Sequence, residues 1–581
     1  MRLLSTEAST RATGPVTAAS GRFDPFDASY LRDPYPRLAD LRAAEPVFFA
    51  ADIGSWVVTR FDTVKAILRD TKRYSAMIAS DPLTPLCPHA RQIIASSDFN
   101  VPPLLVNNDP PSHPRYRAFF GAPLQRERLQ ALQPFIRETV EAHVARMAAG
   151  SPPVDLVAAL TWDVPALVLF RLLGVPAEDV PKVKHWASSR VVMTWGRPSE
   201  GEQIQLAGEA VEYYRYAIDL VQRKAQAPLD DYLSDLVRLR DGDDGKATLH
   251  EIGAIAFNLL FAGHETTSSA AANLFKAVLT RRDLWDAICR GTQPLAPVVE
   301  EGLRFDPPVQ AWRRQAKEAV ELDGVQVPAG ARLLLMFAAA NRDPAQFPEP
   351  DDFVPGRRNV MQHVAFGTGA HFCLGAPLAR LEVEAMLESV ARHLPGLTLM
   401  ADQDYPYTPN TSFRALRKLM VAWYPIEGSA MRFPHLPVDD ELEIRSVFAR
   451  YGHLADAGDP NFVQLFTEDA TWTRANSPPA ALGGSGLPPE TLRGRDRLLT
   501  MMEEVMKKKF KQRMHHQMTD FYVVPGATAD DAMGHARALI TDWRDGPGKI
   551  AMFGKYDVRF RRIDVGWRIS DVTVRVLPSE E

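Results

Sequence analysis

Cysteine is scarce in this chain. Cys87, Cys289 and Cys373 are the three thiols among 581 residues. They are too few and too scattered for a disulfide framework, which excludes stapled secreted scaffolds and fits a reducing, cytoplasmic setting. Long apolar runs are missing as well. No stretch reaches the ~18 residues that a spanning helix needs, so no membrane association is expected. Strong charge of one sign is also absent, with 67 basic and 72 acidic residues for a net charge of -5. That balance leaves no general electrostatic footprint for nucleic acid. No internal repeat is evident.

What is there divides into two grammars. Residues 1–21, rich in Ser, Thr and Ala, read as a disordered tail without a signal-peptide core. From Phe23 to Trp423 long helical patterns dominate, with short alternating segments such as Trp56–Thr59, Val320–Leu335 and Leu419–Trp423 reading as strands. Residues 425–439, punctuated by Gly428, Pro434 and Pro437, read as a linker. Residues 440–578 then open with helices and continue as strands, expected at His516–Val524, His535–Asp542, Ile550–Arg562 and Trp567–Val576. Helices followed by a run of antiparallel strands predict a separate α+β domain. The expected organisation is therefore multi-domain.

The most informative segment is Phe366-Gly367-Thr368-Gly369-Ala370-His371-Phe372-Cys373-Leu374-Gly375. It places one cysteine in a glycine-rich loop before an amphipathic helix running from Ala376 to about Arg392. A sulfur at a helix N-terminus meets backbone N–H groups and the positive end of the helix dipole, so an ionised, low-pKa thiolate is expected. The glycines allow the backbone to pass close beneath a flat ligand.

This loop closely resembles the haem-binding signature of the cytochrome P-450 family, and the resemblance extends over residues 22–424. It implies a mainly α fold with small β-sheets, a haem b (iron protoporphyrin IX) cofactor, and Cys373 as the iron ligand. The segment Ala262-Gly263-His264-Glu265-Thr266-Thr267 resembles the family's oxygen-activating motif, with Glu265 and Thr266 as the catalytic pair. By itself, a glycine beside an acid and two threonines at the end of an apolar helical stretch predicts a local bulge. Glu301 and Arg304, three apart on one helix face, resemble the family's structural pair, with Arg357 as third member. Asp109–Arg117 resembles the segment whose His113 and Arg117 hold a haem propionate, and Arg314 and His371 match the remaining propionate contacts; Arg313 is the alternative to Arg314.

The implied activity is a haem-thiolate monooxygenase that inserts one oxygen atom of O2 into a hydrophobic small molecule. No flavin, nicotinamide or iron–sulfur motif is present, and three cysteines cannot hold a cluster as well as a haem. External electron donors, a ferredoxin and a ferredoxin reductase, are expected. Substrate choice is assigned to Ser75–Val106, Trp186–Trp195, the helix turn before Ala262, and Val309–Trp312.

The segments Val447–Asp459 and Leu465–Trp472 resemble the opening of a SnoaL-like domain, of the nuclear-transport-factor-2-like superfamily, which implies an α+β cone-shaped barrel. Tyr451 falls where isomerase relatives keep an oxyanion-hole tyrosine. Their general-base aspartate aligns near Arg474, which cannot take a proton, and their second acid near Tyr556. Tyr451, Asp456 and His516 form a second candidate site, with His515 and His535 as further strand histidines. The cone is expected to hold substrate or to form a homodimer; the alternative is a bifunctional enzyme whose cone isomerises, dehydrates or cyclises the oxidised product. The basic run Lys507–Lys511 reads as a solvated helix face.

Overall fold

The computed structural model describes residues 14–15, 17–423, 436–476, 489–504, 514–526, 528–542 and 549–577. The chain divides into two compact units, Met1–Tyr424 and Pro425–Glu581. The basic run at 507–511 lies outside the described residues.

The first unit is mostly helical. Its largest sheet has five short strands, β1 (Val47–Ala50), β2 (Ser55–Val58), β3 (Tyr74–Ser75), β4 (Trp312–Ala316) and β5 (Arg332–Leu335), in the order β1-β2-β5-β4-β3. Within it β2 and β5 run parallel, while the other pairs are antiparallel. Five helices position the site: α1 (Ser112–Gly121), α2 (Val180–Trp195), α3 (Leu249–Leu279), α4 (Leu295–Phe305) and α5 (Ala376–His393).

The central helix α3 starts where its sequence says it should. Thr248 and Glu251 cap it reciprocally: Glu251 N–H donates to Thr248 Oγ1 at 3.1 Å, and Thr248 N–H to Glu251 Oε2 at 2.7 Å. Its 31 residues span about 46 Å at the usual rise. Apolar residues on nearly every face from Ile252 to Phe261 bury it on all sides. The expected bulge does not form. The helix runs unbroken through Ala262–Thr267 to Leu279, because Thr266 Oγ1 donates back to Ala262 O at 2.7 Å without displacing the ladder. Gly263 allows a close approach here, since a Cβ would lie 3.1 Å from Leu169 Cδ1.

Two boundaries differ from expectation. Ala19, inside the segment read as a loose tail, is fully buried with Phe23, Tyr30 and Phe48, because the small side chain fits under an aromatic cluster. The stretch read as a linker ends early, since the next helix, α6 (Val438–Ala457), already begins within it. Three acids in its first turn, Asp439, Asp440 and Glu441, favour that early start.

The second unit is α+β. Helix α6 ends at Gly458, which takes the left-handed φ of 61° that glycine permits. Six strands follow: β6 (Phe466–Arg474), β7 (Glu490–Arg493), β8 (Met514–Pro525), β9 (Asp531–Asp542), β10 (Lys549–Ile563) and β11 (Gly566–Leu577). Their order is β7-β6-β11-β10-β9-β8. The four strands β8 to β11 form the expected antiparallel run, and β6, outside that expectation, joins β11 in parallel. The chain leaves β6, builds the antiparallel meander from β8 onward, and returns beside its own starting strand. Phe448, Tyr451, Phe462, Phe466 and Trp567 fill the core between α6 and the sheet.

Candidate functional site

The first unit encloses a cavity of about 330 Å³. The Cys373 loop, the middle of α3, the start of α1 and β4 all contribute to its wall. Each of the four stretches assigned to substrate choice supplies part of the lining: Leu105, Trp195, Phe261 and Trp312 are examples.

The loop before α5 is shaped by glycine. Gly367 and Gly369 take φ values of 68° and 72°, and a Cβ on Gly369 would sit 3.3 Å from Arg69 Cα. Cys373 N–H donates to Phe366 O at 3.0 Å, which closes the loop and turns the side chain to the cavity. The expectation of a low-pKa thiol is overturned. Burial pushes the Cys373 thiol up, and the N–H groups of Gly375 and Ala376 together with the Arg117 charge offset this only in part.

Around the loop stand four basic side chains. His113 and Arg117 come from α1, Arg314 from β4, and His371 from the loop itself. The two imidazoles lie 4.2 Å apart between ring centroids. Both ring nitrogens of His113 and Nε2 of His371 are buried without a hydrogen-bond partner. Burial, then the charges of Arg314, His113 and Arg117, pull His371 down to about 2. Burial also lowers Arg314, to about 10, leaving it charged at neutral pH. Arg314, not Arg313, lines the cavity; Arg313 donates instead to the carbonyls of Asp81 and Thr194 at 2.6 and 3.0 Å. Desolvated bases with orphaned nitrogens need an anionic ligand. A haem with two propionates fits this cradle, with the Cys373 sulfur below it.

Thr266 lines the cavity from α3, whereas Glu265 turns into the protein and is 3% exposed. Burial raises the Glu265 pKa against the opposing influence of Ser188 and Arg417, and its Oε1 has no partner.

Beneath the loop, Glu301 and Arg304 are brought together with Arg357. Arg304 also donates to the carbonyls of Asn341, Pro350 and Asp352 at 2.9, 2.8 and 3.0 Å, and Arg357 Nε reaches Glu301 Oε1 at 3.4 Å. A second network escapes sequence reading. Glu300, next to Glu301, binds His363 Nε2 at 3.0 Å and Arg380 Nη2 at 3.0 Å, tying α4 to α5. No motif marks it; alternation of two buried acids on one helix was its only signal.

In the second unit Asp456 and His516 meet. Asp456 Oδ1 lies 2.5 Å from His516 Nδ1, and Oδ2 accepts the His516 N–H at 2.8 Å. Tyr451 OH accepts from Trp472 Nε1 at 2.9 Å, and its ring lies 6.1 Å from that of Tyr556. Burial raises both phenols, and the charge of Asp456 raises them further, which places all these groups around one core region. Arg474 stands apart on an ion pair with Glu490 at 3.2 Å, and His535 pairs with Asp557 at 2.7 Å.

Comparison with known proteins bears on both units. The cytochrome P-450 family model matches residues 294–412, and a SnoaL-like domain model matches residues 437–573. The cytochrome P-450 monooxygenase PikC of Streptomyces venezuelae is 34% identical over 426 residues, covering 72% of this chain and 97% of that protein. The vitamin D(3) 25-hydroxylase of Pseudonocardia autotrophica is 33% identical over 414 residues, 71% of this chain and 98% of its own. Among solved structures, cytochrome P-450 CREJ in complex with (4-ethylphenyl) dihydrogen phosphate matches with a TM-score of 0.67 and 35% identity, over 70% of this chain and all of that one. An intact type IV self-sufficient cytochrome P-450 monooxygenase matches with a TM-score of 0.68 and 29% identity, over 90% of this chain and 60% of that one.

Proposed function

This chain belongs to the cytochrome P-450 family of haem-dependent monooxygenases, and from that premise we propose that it oxidises a hydrophobic small molecule with electrons from a separate ferredoxin and ferredoxin reductase. The observation that carries the reading is the convergence of unpaired buried bases on the Cys373 loop. Haem, when bound, supplies the activation of O2 and the transfer of one oxygen atom to substrate. The chain's own residues do the rest. Cys373 ligates the iron, while Arg117 and Arg314 neutralise the two carboxylates and His113 and His371 offer them hydrogen bonds, which together set the ring's orientation. Thr266 presents a hydroxyl at the cavity wall. Glu265, whose pKa burial raises, stands one residue away as the acid that relays protons toward that hydroxyl. Glu301, Arg304 and Arg357 keep the loop's floor rigid.

The substrate's apolar character follows from the cavity wall, where leucine and aromatic side chains outnumber polar ones. The C-terminal unit, in this reading, holds substrate or joins two copies of the chain. A second reading has one observation in its favour. The Asp456–His516 pair is the arrangement of an orienting acid and a general base, so the unit acts on the oxidised product by isomerisation, dehydration or cyclisation.

Reduced, carbon monoxide-treated protein should give the thiolate-type absorption band, and Cys373→Ala should abolish it. Cutting at Gly428 separates the two readings of the second unit. Curated relatives span the first unit alone at nearly full length, so that half is expected to fold. An unchanged final product at an unchanged rate sinks the bifunctional reading; a different, unrearranged product supports it.

A further inference from the structure

Several buried arginines of this protein come with a carboxylate; Arg313 instead donates to backbone carbonyls. Arg304 has Glu301 at 2.7 Å, and Arg414 has Asp306 at 3.0 Å. Arg190 does not. It projects from α2 into the cavity wall, is 7% exposed, and makes no ion pair among the described residues. Its guanidinium is held in place by neutral groups: Nη1 donates to Phe257 O at 3.2 Å and Nη2 to Asn258 Oδ1 at 2.7 Å. The rings of Phe257 and Phe261 flank it at 4.5 and 5.2 Å. Its Nε is buried without a partner, as is the hydroxyl of the neighbouring Tyr213. Burial lowers its pKa to about 10, so the group remains cationic at neutral pH. Glu382 is the one carboxylic acid among the described lining residues; burial raises its pKa well above the ordinary range, and it forms no ion pair with Arg190.

A desolvated, oriented cation without a carboxylate partner is costly unless a ligand's anion completes it. We propose that Arg190 is a specificity residue that binds a single anionic head group, carboxylate or phosphate, at one end of an elongated apolar substrate. The proposal rests on the reading of this cavity as the haem monooxygenase site and adds the chemical class of the substrate. Position supports it. Asn258 precedes Thr266 by eight residues on α3, about 12 Å along the helix axis. The anion is thus anchored well away from the carbon presented beside Thr266, and the apolar body fills the interval. Planar, bidentate recognition of carboxylate or phosphate is what guanidinium does best.

The test uses the full-length holoenzyme and reads the haem spin-state shift by visible absorption. Decanoate, decyl phosphate, methyl decanoate and decanol are titrated in turn. At least one of the two anions is expected to bind about tenfold or more tightly than both neutral compounds, and which one does so identifies the head group. In Arg190→Met the preference falls to within about threefold while the affinity for decanol is kept; Arg190→Lys retains part of it. Equal affinities for acid and ester in the unaltered protein, no shift with any of the four, or an undiminished preference in Arg190→Met each overturn the proposal. The carbon monoxide band, measured on every sample, reports loss of the haem site separately. Its absence from the unaltered protein sinks the monooxygenase reading rather than the head-group assignment.

Discussion

Glu301 and Arg304, one turn apart on α4, meet through two parallel hydrogen bonds of 2.7 and 2.8 Å, with neither side chain exposed at all. The carboxylate also accepts the Val354 N–H at 2.8 Å, so both oxygens are engaged and Oε1 faces more than one donor. Removing one partner leaves an uncompensated buried charge. Arg304→Met is expected to cost about 3–5 kcal/mol. Haem-to-protein ratio after purification, together with the thermal unfolding midpoint, checks this; unaltered haem content would count against a structural role for the pair.

At the cavity wall the expectation concerns coupling rather than folding. Thr266→Val keeps shape but removes the hydroxyl that bonds Ala262 O. Reductant consumption should continue while product per electron pair falls on the order of tenfold and hydrogen peroxide accumulates. Glu265→Gln should slow turnover with less peroxide, since its amide cannot resupply the proton. Oxygen uptake, peroxide and product measured on one sample separate the two effects.

Acid should weaken the first unit through Glu300. Burial alone would raise its pKa, but hydrogen bonds from His363 and Arg380 hold it down to about 2, below the ordinary 4.5. A carboxylate depressed in the folded state contributes stability that is fully present above the unfolded value. That contribution is lost as pH falls from about 4.5 toward about 2. The unfolding midpoint of the unaltered protein should therefore drop across that window. Glu300→Gln should start lower and show a shallower slope.

In the second unit Asp456 pins the end of α6 to strand β8 through the backbone and side chain of His516. Asp456→Ala leaves these half-buried groups of His516 without their partner and should destabilise the unit by about 1 kcal/mol. The rate of the first oxidation should stay within about twofold of the unaltered rate, because the cavity of the first unit is untouched. Denaturation followed on Trp472 and Trp567 fluorescence, beside steady-state oxygen uptake, checks both statements.

Much of this was legible because the signals were covalent or periodic. The Cys373 loop and the capped, apolar α3 announce themselves at fixed spacings, and β8 to β11 alternate cleanly enough to be placed within a few residues. What was not legible depends on packing. The direction of the Cys373 thiol shift is decided by how much apolar surface surrounds it, which no local pattern reports. Thr266 and Gly263 suggest a broken helix on propensity alone, yet Leu169 and the Ala262 carbonyl absorb the conflict. Arg190 carries no motif; its interest arises only when the acid expected beside a buried cation fails to appear. The parallel pairing of β6 with β11 joins residues about a hundred positions apart, beyond the reach of any window.

That last pairing has a consequence for synthesis. Because β11 sits inside the sheet, between β6 and β10, the second unit lacks an interior strand until β11 itself has left the ribosome. Domains emerging first fold first during translation. The haem-binding half can thus finish and take up its cofactor while its successor is still an open, unsealed half-sheet, and truncations just before Gly566 should abolish the later unit yet spare the earlier one.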